Sequence, residues 1–192
     1  IVEHFAAQER DDLMTLILPT VYRSAGEQIE QAIRDFAPDA VVSLGVAQKR
    51  TTISLERVAV NVDDASLADN SGFVASGEMI AEEGPAAYWS TLPLKAMLAA
   101  LAAREIPVSF SNHAGTYICN HAFYAAQHAL ARLGQATPCG FIHIPDLPRV
   151  DENGEANGGL PLETMIEAVE LCLAVVQKQL TAQAAAARDL IR

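Results

Sequence analysis

Positive charge is what this chain is short of. Thirteen Lys and Arg stand against 24 Asp and Glu, giving a net charge of −11 and an isoelectric point of about 4.8. A surface of that sign repels phosphate backbones, so nucleic acid is not an expected partner. Long apolar runs are missing too. None reaches the roughly 18 residues of a membrane span, so no membrane partner is expected either. Cysteine is scarce: Cys119, Cys139 and Cys172 are odd in number and widely spaced. That pattern argues against a disulfide framework and for a reducing, cytoplasmic location. The chain has no H-x-x-x-H, no C-x-x-C, no P-loop and no G-x-G-x-x-G. Neither a metal nor a nucleotide cofactor is therefore expected.

What is present is a globular composition, with 51% hydrophobic and 19% charged residues over 192 positions. One domain spanning residues 1–192 is the expectation. Leu13 to Leu18 (LMTLIL) reads as a strand. Ser24 and Glu27 have capping-box spacing and open a helix with Ile29, Ala32, Ile33 and Phe36 on one face. Ala40 to Gly45 (AVVSLG) reads as a parallel strand buried on both faces. Ile53 to Asn61 (ISLERVAVN) is a β-branched strand. Val62 to Gly84 is a long polar loop, of the kind that is usually functional. A helix capped by Thr91, a strand IPVSFS (106–111), a helix from Tyr117 to Leu133 and a strand GFIHI (140–144) follow. A Gly/Asn-rich loop from Asp151 to Gly159, a closing helix from Leu162 to about Gln179 and an Ala-rich frayed end complete the chain. The alternation predicts an α/β sandwich, a sheet with helices on both faces.

Three residues are candidates to carry chemistry. Cys119 leaves the turn Ala114-Gly115 and, with Thr116 as N-cap, falls in the first turn of a helix. Helix-start N–H groups favour an anion there and can hold an oxyanion, so the thiol pKa is expected below its ordinary value. A cysteine in a helix is otherwise a small core residue. His143 lies near the end of GFIHI and meets Cys119 at one sheet rim if the two strands are parallel. Taken singly, one histidine among five is more often a half-buried histidine bonded to a backbone carbonyl. Glu56 sits inside an apolar strand, where a carboxylate is costly unless paired. It suits the acid of a triad, or a pair with Arg57 on a solvated face. His113 lines the turn before Cys119, and His121 and His128 share one helical face.

These segments resemble the pyroglutamyl peptidase I family. The matching stretches are LPTVY (18–22), LGVAQKR (44–50), ISLERVAVN (53–61), the Asp69-Asn70 pair, GPAAYWSTLP (84–93), SNHAGTYICNHAFY (111–124) and GFIHIP (140–145). The Ala-Gly-x-Tyr-x-Cys-Asn and Gly-Phe-Ile-His-x-Pro blocks are the specific ones. The resemblance implies a twisted mixed, largely parallel sheet flanked by helices on both faces, and a homotetramer. It implies Cys119 as nucleophile, His143 as base and Glu56 as acidic partner. Backbone groups of Ile118, Val46, Ala47 and Gln48 are candidates to hold the lactam of an N-terminally pyroglutamylated peptide, with Asp69 and Asn70 shaping the site. Two positions depart from the family pattern inside the chain: Ala68 stands where proline is common, and Gln48-Lys49 where glycines are. The family's opening strand and Gly-Phe-x-Pro-Phe-Gly-Gly loop, whose phenylalanines help enclose the lactam, have no counterpart here, so an N-terminal piece is expected to be missing. That absence leaves room for an impaired binding or regulatory relative. A nucleoside-phosphorylase-like enzyme would need an arginine-lined anion site, for which Arg50 is the candidate.

Overall fold

The computed structural model describes residues 1–150 and 156–189. Five helices and nine strands follow in the order α1 (Val2–Ala6), α2 (Tyr22–Phe36), β1 (Val41–Val46), β2 (Ile53–Val60), β3 (Asp63–Asp64), β4 (Ser76–Glu78), β5 (Ala87–Trp89), α3 (Leu94–Ala102), β6 (Val108–His113), α4 (Ile118–Arg132), β7 (Cys139–Ile144), β8 (Arg149–Val150), β9 (Ala156–Asn157) and α5 (Leu162–Asp189). The loop expected over 151–159 lies partly outside the described residues; β8 and β9 pair at its flanks.

The main sheet is mixed. β1 runs parallel to β7, β7 antiparallel to β2, and β2 parallel to β6. β5 pairs antiparallel with the far end of β2. Val58 registers with both Trp89 and His113, so β5 shares the β7 edge of β2. A consequence is that β6 and β7 are antiparallel to one another. Strand direction therefore does not bring Cys119 and His143 to one rim of the sheet.

Period-two alternation sorts the strand side chains onto two faces. Ile53, Leu55, Ile142 and Ile144 point to one face and are buried with Met97 and Leu101 of α3 and Met165, Ala168 and Val176 of α5. Each such Ile, Leu, Met or Val side chain contributes about 1.5–3 kcal/mol on leaving water. The other face carries Ser54, Glu56, Phe141 and His143, registered in pairs across β2 and β7. α2 and α4 cover that face, with Ile29, Ile33, Ala126 and Ala129 packed on Cys139. Helices on both faces are as the sequence predicts.

Several local expectations change. Leu13 to Leu18 forms no strand; with no partner strand to satisfy its amides, the run stays irregular and Ile17 is exposed. β1 is only half-buried, because it pairs on one edge alone, with β7. The helix from Ser24 starts two residues early, at Tyr22, whose N–H is capped by the Asp69 carboxylate at 3.2 Å. Thr91 does not cap α3, which follows Pro93. Its hydroxyl instead accepts from the Cys139 N–H at 2.7 Å. The Ala-rich end is not frayed, as α5 runs on to Asp189. Among the described residues, no helix is long and apolar enough to cross a membrane.

Candidate active site

Glu56 and His143 meet on the face beneath α2 and α4. Glu56 is completely buried, and its Oε1 lies 2.7 Å from His143 Nδ1. The same oxygen accepts from Arg50 Nη1 at 2.6 Å. Arg50 reaches it from the turn between β1 and β2 and donates through Nη2 to the Ser111 hydroxyl at 3.3 Å. Among the described residues the second oxygen, Oε2, has no hydrogen-bond partner. Burial pushes the Glu56 carboxyl up, but the His143 contact, the nearby Ser111 hydroxyl and the Arg50 guanidinium outweigh it, and the carboxyl is held below its ordinary range. An ionised carboxylate only accepts, so His143 donates through Nδ1 and keeps Nε2 available as a base. Arg57, the other partner weighed for Glu56, points the opposite way. Its guanidinium lies 4.5 Å from the Phe110 ring centre, and Nη1 donates to Asn112 at 3.2 Å. Neighbours on a strand cannot share a face.

Cys119 is the second residue of α4, behind Tyr117 as N-cap. Thr116 is not the cap; its hydroxyl donates to the Asp64 carbonyl. Asn120, fully buried, fixes the helix start to the sheet. Its amide donates to the Val60 and Val62 carbonyls at 2.9 and 3.1 Å and accepts from the Val60 N–H at 2.9 Å. The Cys-Asn step of the motif block is the local signal for this anchoring role.

The helix start carries the thiol over β1 at Gly45. A Cβ built on Gly45 would lie 2.8 Å from Cys119 Sγ and 2.7 Å from the Phe141 ring. Gly45 registers with His143 in the β1–β7 ladder. The bare backbone at Gly45 is thus the floor on which Cys119 approaches the imidazole strand. Among the described residues no hydrogen bond joins the thiol to His143. The thiol pKa runs opposite to expectation. Burial and the nearby Glu56 charge outweigh the opposing pull of the backbone N–H at the helix start and of Arg50, and Cys119 is pushed up to about 11. A helix start favours thiolate, but here desolvation is the larger effect. The resting thiol keeps its proton, which a neighbouring base must remove for nucleophilic attack.

The remaining candidates separate by availability. Ile118 is buried against Tyr22, Ala25 and Ala75. The Ala47 N–H donates to the Ile144 carbonyl at 2.8 Å, and its own carbonyl accepts from Arg50 N at 2.9 Å. Those groups are committed to the turn, while Val46 and Gln48 are exposed. Asp69 uses both carboxylate oxygens, Oδ2 for Tyr22 N and Oδ1 for Ser71 N, Ser71 Oγ and Phe73 N. The Ser71 hydroxyl chiefly holds its carboxyl below the ordinary range. Asn70 N donates to the Thr20 carbonyl at 2.9 Å. This pair therefore organises its loop and the start of α2, and neither residue bonds to Glu56 or His143. The loop does reach the start of α4, since the Tyr117 hydroxyl donates to the Ala68 carbonyl at 2.9 Å. Arg50, named for a possible anion site, is paired with Glu56 instead. Among the described residues no group of three or more His, Cys, Asp and Glu could hold a metal ion.

The sandwich fold and the comparisons with known proteins define the class: a cysteine peptidase. The family model of pyroglutamyl peptidase matches residues 4–179. Pyrrolidone-carboxylate peptidase of Bacillus cereus strain Q1 is 41% identical over 158 residues, which is 82% of this chain and 74% of the relative. The enzyme of that name from Bacillus cytotoxicus is 42% identical over the same shares. Among solved structures, a mutant pyrrolidone carboxyl peptidase from Pyrococcus furiosus superposes with a TM-score of 0.82 at 35% identity, covering 87% of this chain and 82% of that one. The pyrrolidone carboxyl peptidase of Thermococcus litoralis gives 0.84 at 30% identity, over 95% and 88%. The chain belongs to the pyroglutamyl peptidase family.

Proposed function

We propose that this protein hydrolyses the amide bond that follows an N-terminal pyroglutamyl residue, with Cys119 as nucleophile, His143 as general base and acid, and Glu56 as the carboxylate that orients and charges the imidazole. The observation carrying this reading is the 2.7 Å His143–Glu56 contact on the sheet face that the Cys119 thiol overhangs. His143 Nε2 takes the thiol proton as sulfur attacks the carbonyl carbon. The tetrahedral oxyanion lies against the N–H groups at the start of α4. Collapse breaks the C–N bond, the imidazolium gives its proton to the leaving amine, and a thioester remains. Water, deprotonated by the same imidazole, attacks the thioester and regenerates the thiol. A thiol that rests protonated makes the histidine a true base here rather than one half of a standing ion pair. The contact between thiol and imidazole closes in the substrate complex, as catalytic hydrogen bonds commonly do.

The lactam carries no charged amine, so its recognition rests on shape and a few backbone hydrogen bonds near Ile118, Val46 and Gln48. A pocket that bonds the ring carbonyl rejects N-terminal proline. The family resemblance further suggests a homotetramer acting in the cytoplasm on pyroglutamylated peptides. The test is release of a chromophore from a pyroglutamyl amide, with the prolyl amide as control. Cleavage of the first alone, abolished by Cys119→Ala, supports the reading. Equal cleavage of both, or full activity of the variant, refutes it. Sedimentation of the purified protein checks the assembly.

A further inference from the structure

We propose that Arg50 is a positioning residue of this site: its guanidinium keeps the fully buried Glu56 ionised and so fixes His143 in the tautomer with hydrogen on Nδ1. The inference rests on the catalytic reading above. It starts from a bonding pattern that a triad alone does not explain. Glu56 has no exposed surface, and Oε2 has no partner among the described residues. Its charge is therefore compensated at Oε1, where His143 Nδ1 and Arg50 Nη1 converge at 2.7 and 2.6 Å. A buried carboxylate without a compensating charge takes up a proton. A protonated Glu56 would donate to His143 Nδ1, which would move the imidazole hydrogen to Nε2. That nitrogen could then no longer accept the thiol proton.

Of the groups around the carboxylate, only Arg50 brings a permanent charge. The Ser111 hydroxyl, registered across the ladder from Glu56, is neutral. His143 is charged only after it has taken the proton. Arg50 can serve because it is itself anchored, with Nη2 on Ser111 Oγ at 3.3 Å and its backbone N–H on the Ala47 carbonyl at 2.9 Å. Its side chain is about one-third exposed (32%), so its own charge stays hydrated while its tip reaches a buried oxygen. Arg50 thus sets the tautomer in which Nε2 is free to accept the thiol proton.

The test uses the whole protein with Arg50→Gln, which still donates a hydrogen bond but lacks charge, and Arg50→Lys, which keeps the charge. Nitrogen-15 NMR of labelled histidine reads the His143 tautomer, with His143→Gln assigning the signal. The Nδ1–H form should dominate in wild type and in Arg50→Lys. It should give way to the Nε2–H form in Arg50→Gln. On the pyroglutamyl substrate, the acid limb of kcat/KM should move up by about one pH unit in Arg50→Gln, roughly the effect of one adjacent charge, and stay in place in Arg50→Lys. An unchanged tautomer in Arg50→Gln overturns the proposal. So does an equal loss of rate at every pH, which is what a packing role would give. If wild type cleaves no pyroglutamyl substrate, the proposed function fails, yet the tautomer measurement still decides the role of Arg50.

Discussion

The two faces of the central sheet are built from the same strands and serve opposite ends. On the α3–α5 face, Ile53, Leu55, Ile142 and Ile144 close an apolar core. On the α2–α4 face, the alternate residues Ser54, Glu56 and His143 are also buried, but polar. One residue of register separates core from candidate site. The comparison teaches that polar burial is tolerated where charge is compensated: His143 by Glu56, Glu56 by Arg50 at one of its two oxygens, and Asn120 by the end of β2. The apolar face needs only volume, whereas the polar face needs specific partners.

The largest effect expected from breaking this contrast is on activity alone. Cys119→Ala should abolish turnover of a pyroglutamyl amide while the melting temperature stays near that of wild type. Cys139→Ala and Cys172→Ala, in the core, should keep substantial activity per folded molecule. Next comes Leu55→Ala on the opposite face, one residue from Glu56. It should cost about 2–5 kcal/mol in urea unfolding, with kcat of the folded fraction preserved. A change of kcat without loss of stability would mean the faces are not independent.

Gly45→Ala sharpens the comparison where the faces meet. The new methyl must displace either the Cys119 sulfur or the Phe141 ring, both under 3 Å from it. Overpacking of this kind costs about 1–3 kcal/mol. A fall in kcat/KM larger than the loss of stability implies should accompany it, and full activity would show that the thiol does not need that floor.

The smallest effect concerns pH. Burial raises the thiols of Cys119 to about 11 and Cys172 to about 12. A raised folded pKa means the unfolded chain loses these protons first. The stability they contribute is complete below about 9 and declines as pH rises toward 11. Glu56 has the opposite sign, because its lowered pKa contributes stability that is lost as pH falls below its ordinary range. Unfolding free energy followed from neutrality to pH 10.5 should fall less steeply in Cys172→Ala than in wild type, and parallel curves would contradict the burial argument.

Much of this was legible in order and pattern. The amphipathic helix α2 (though not its start, which Asp69 rather than Ser24 caps), the strands β2 and β7, the strand–turn–helix around Cys119 and the sandwich class all follow from local pattern. Local signals stopped where pairing began. LMTLIL has strand composition, but a strand exists only where another strand takes its hydrogen bonds. β5 has three residues and no pattern of its own; β2 makes it a strand. The meeting of Cys119 with His143 was inferred from parallel strands, whereas the chain runs β6 and β7 antiparallel across β2. Arg50 went unread as a partner of Glu56, although an arginine six residues before a carboxylate inside an apolar strand was there to be seen.

The sequence by itself determined which residues can do chemistry, because thiol, imidazole and carboxylate in those motif blocks are a matter of composition and spacing. It also determined that Glu56 and His143 alternate with core residues, since a strand has only two faces. Only the tertiary structure decided the direction of the Cys119 pKa. The helix start that favours thiolate is a local effect, whereas the burial and the Glu56 charge that outweigh it come from β1, β2 and β7 folding around the sulfur. For the same reason only the tertiary structure could bring Arg50 and His143 to one oxygen of Glu56: the chain fixes their order, and packing fixes the distance at which charge acts.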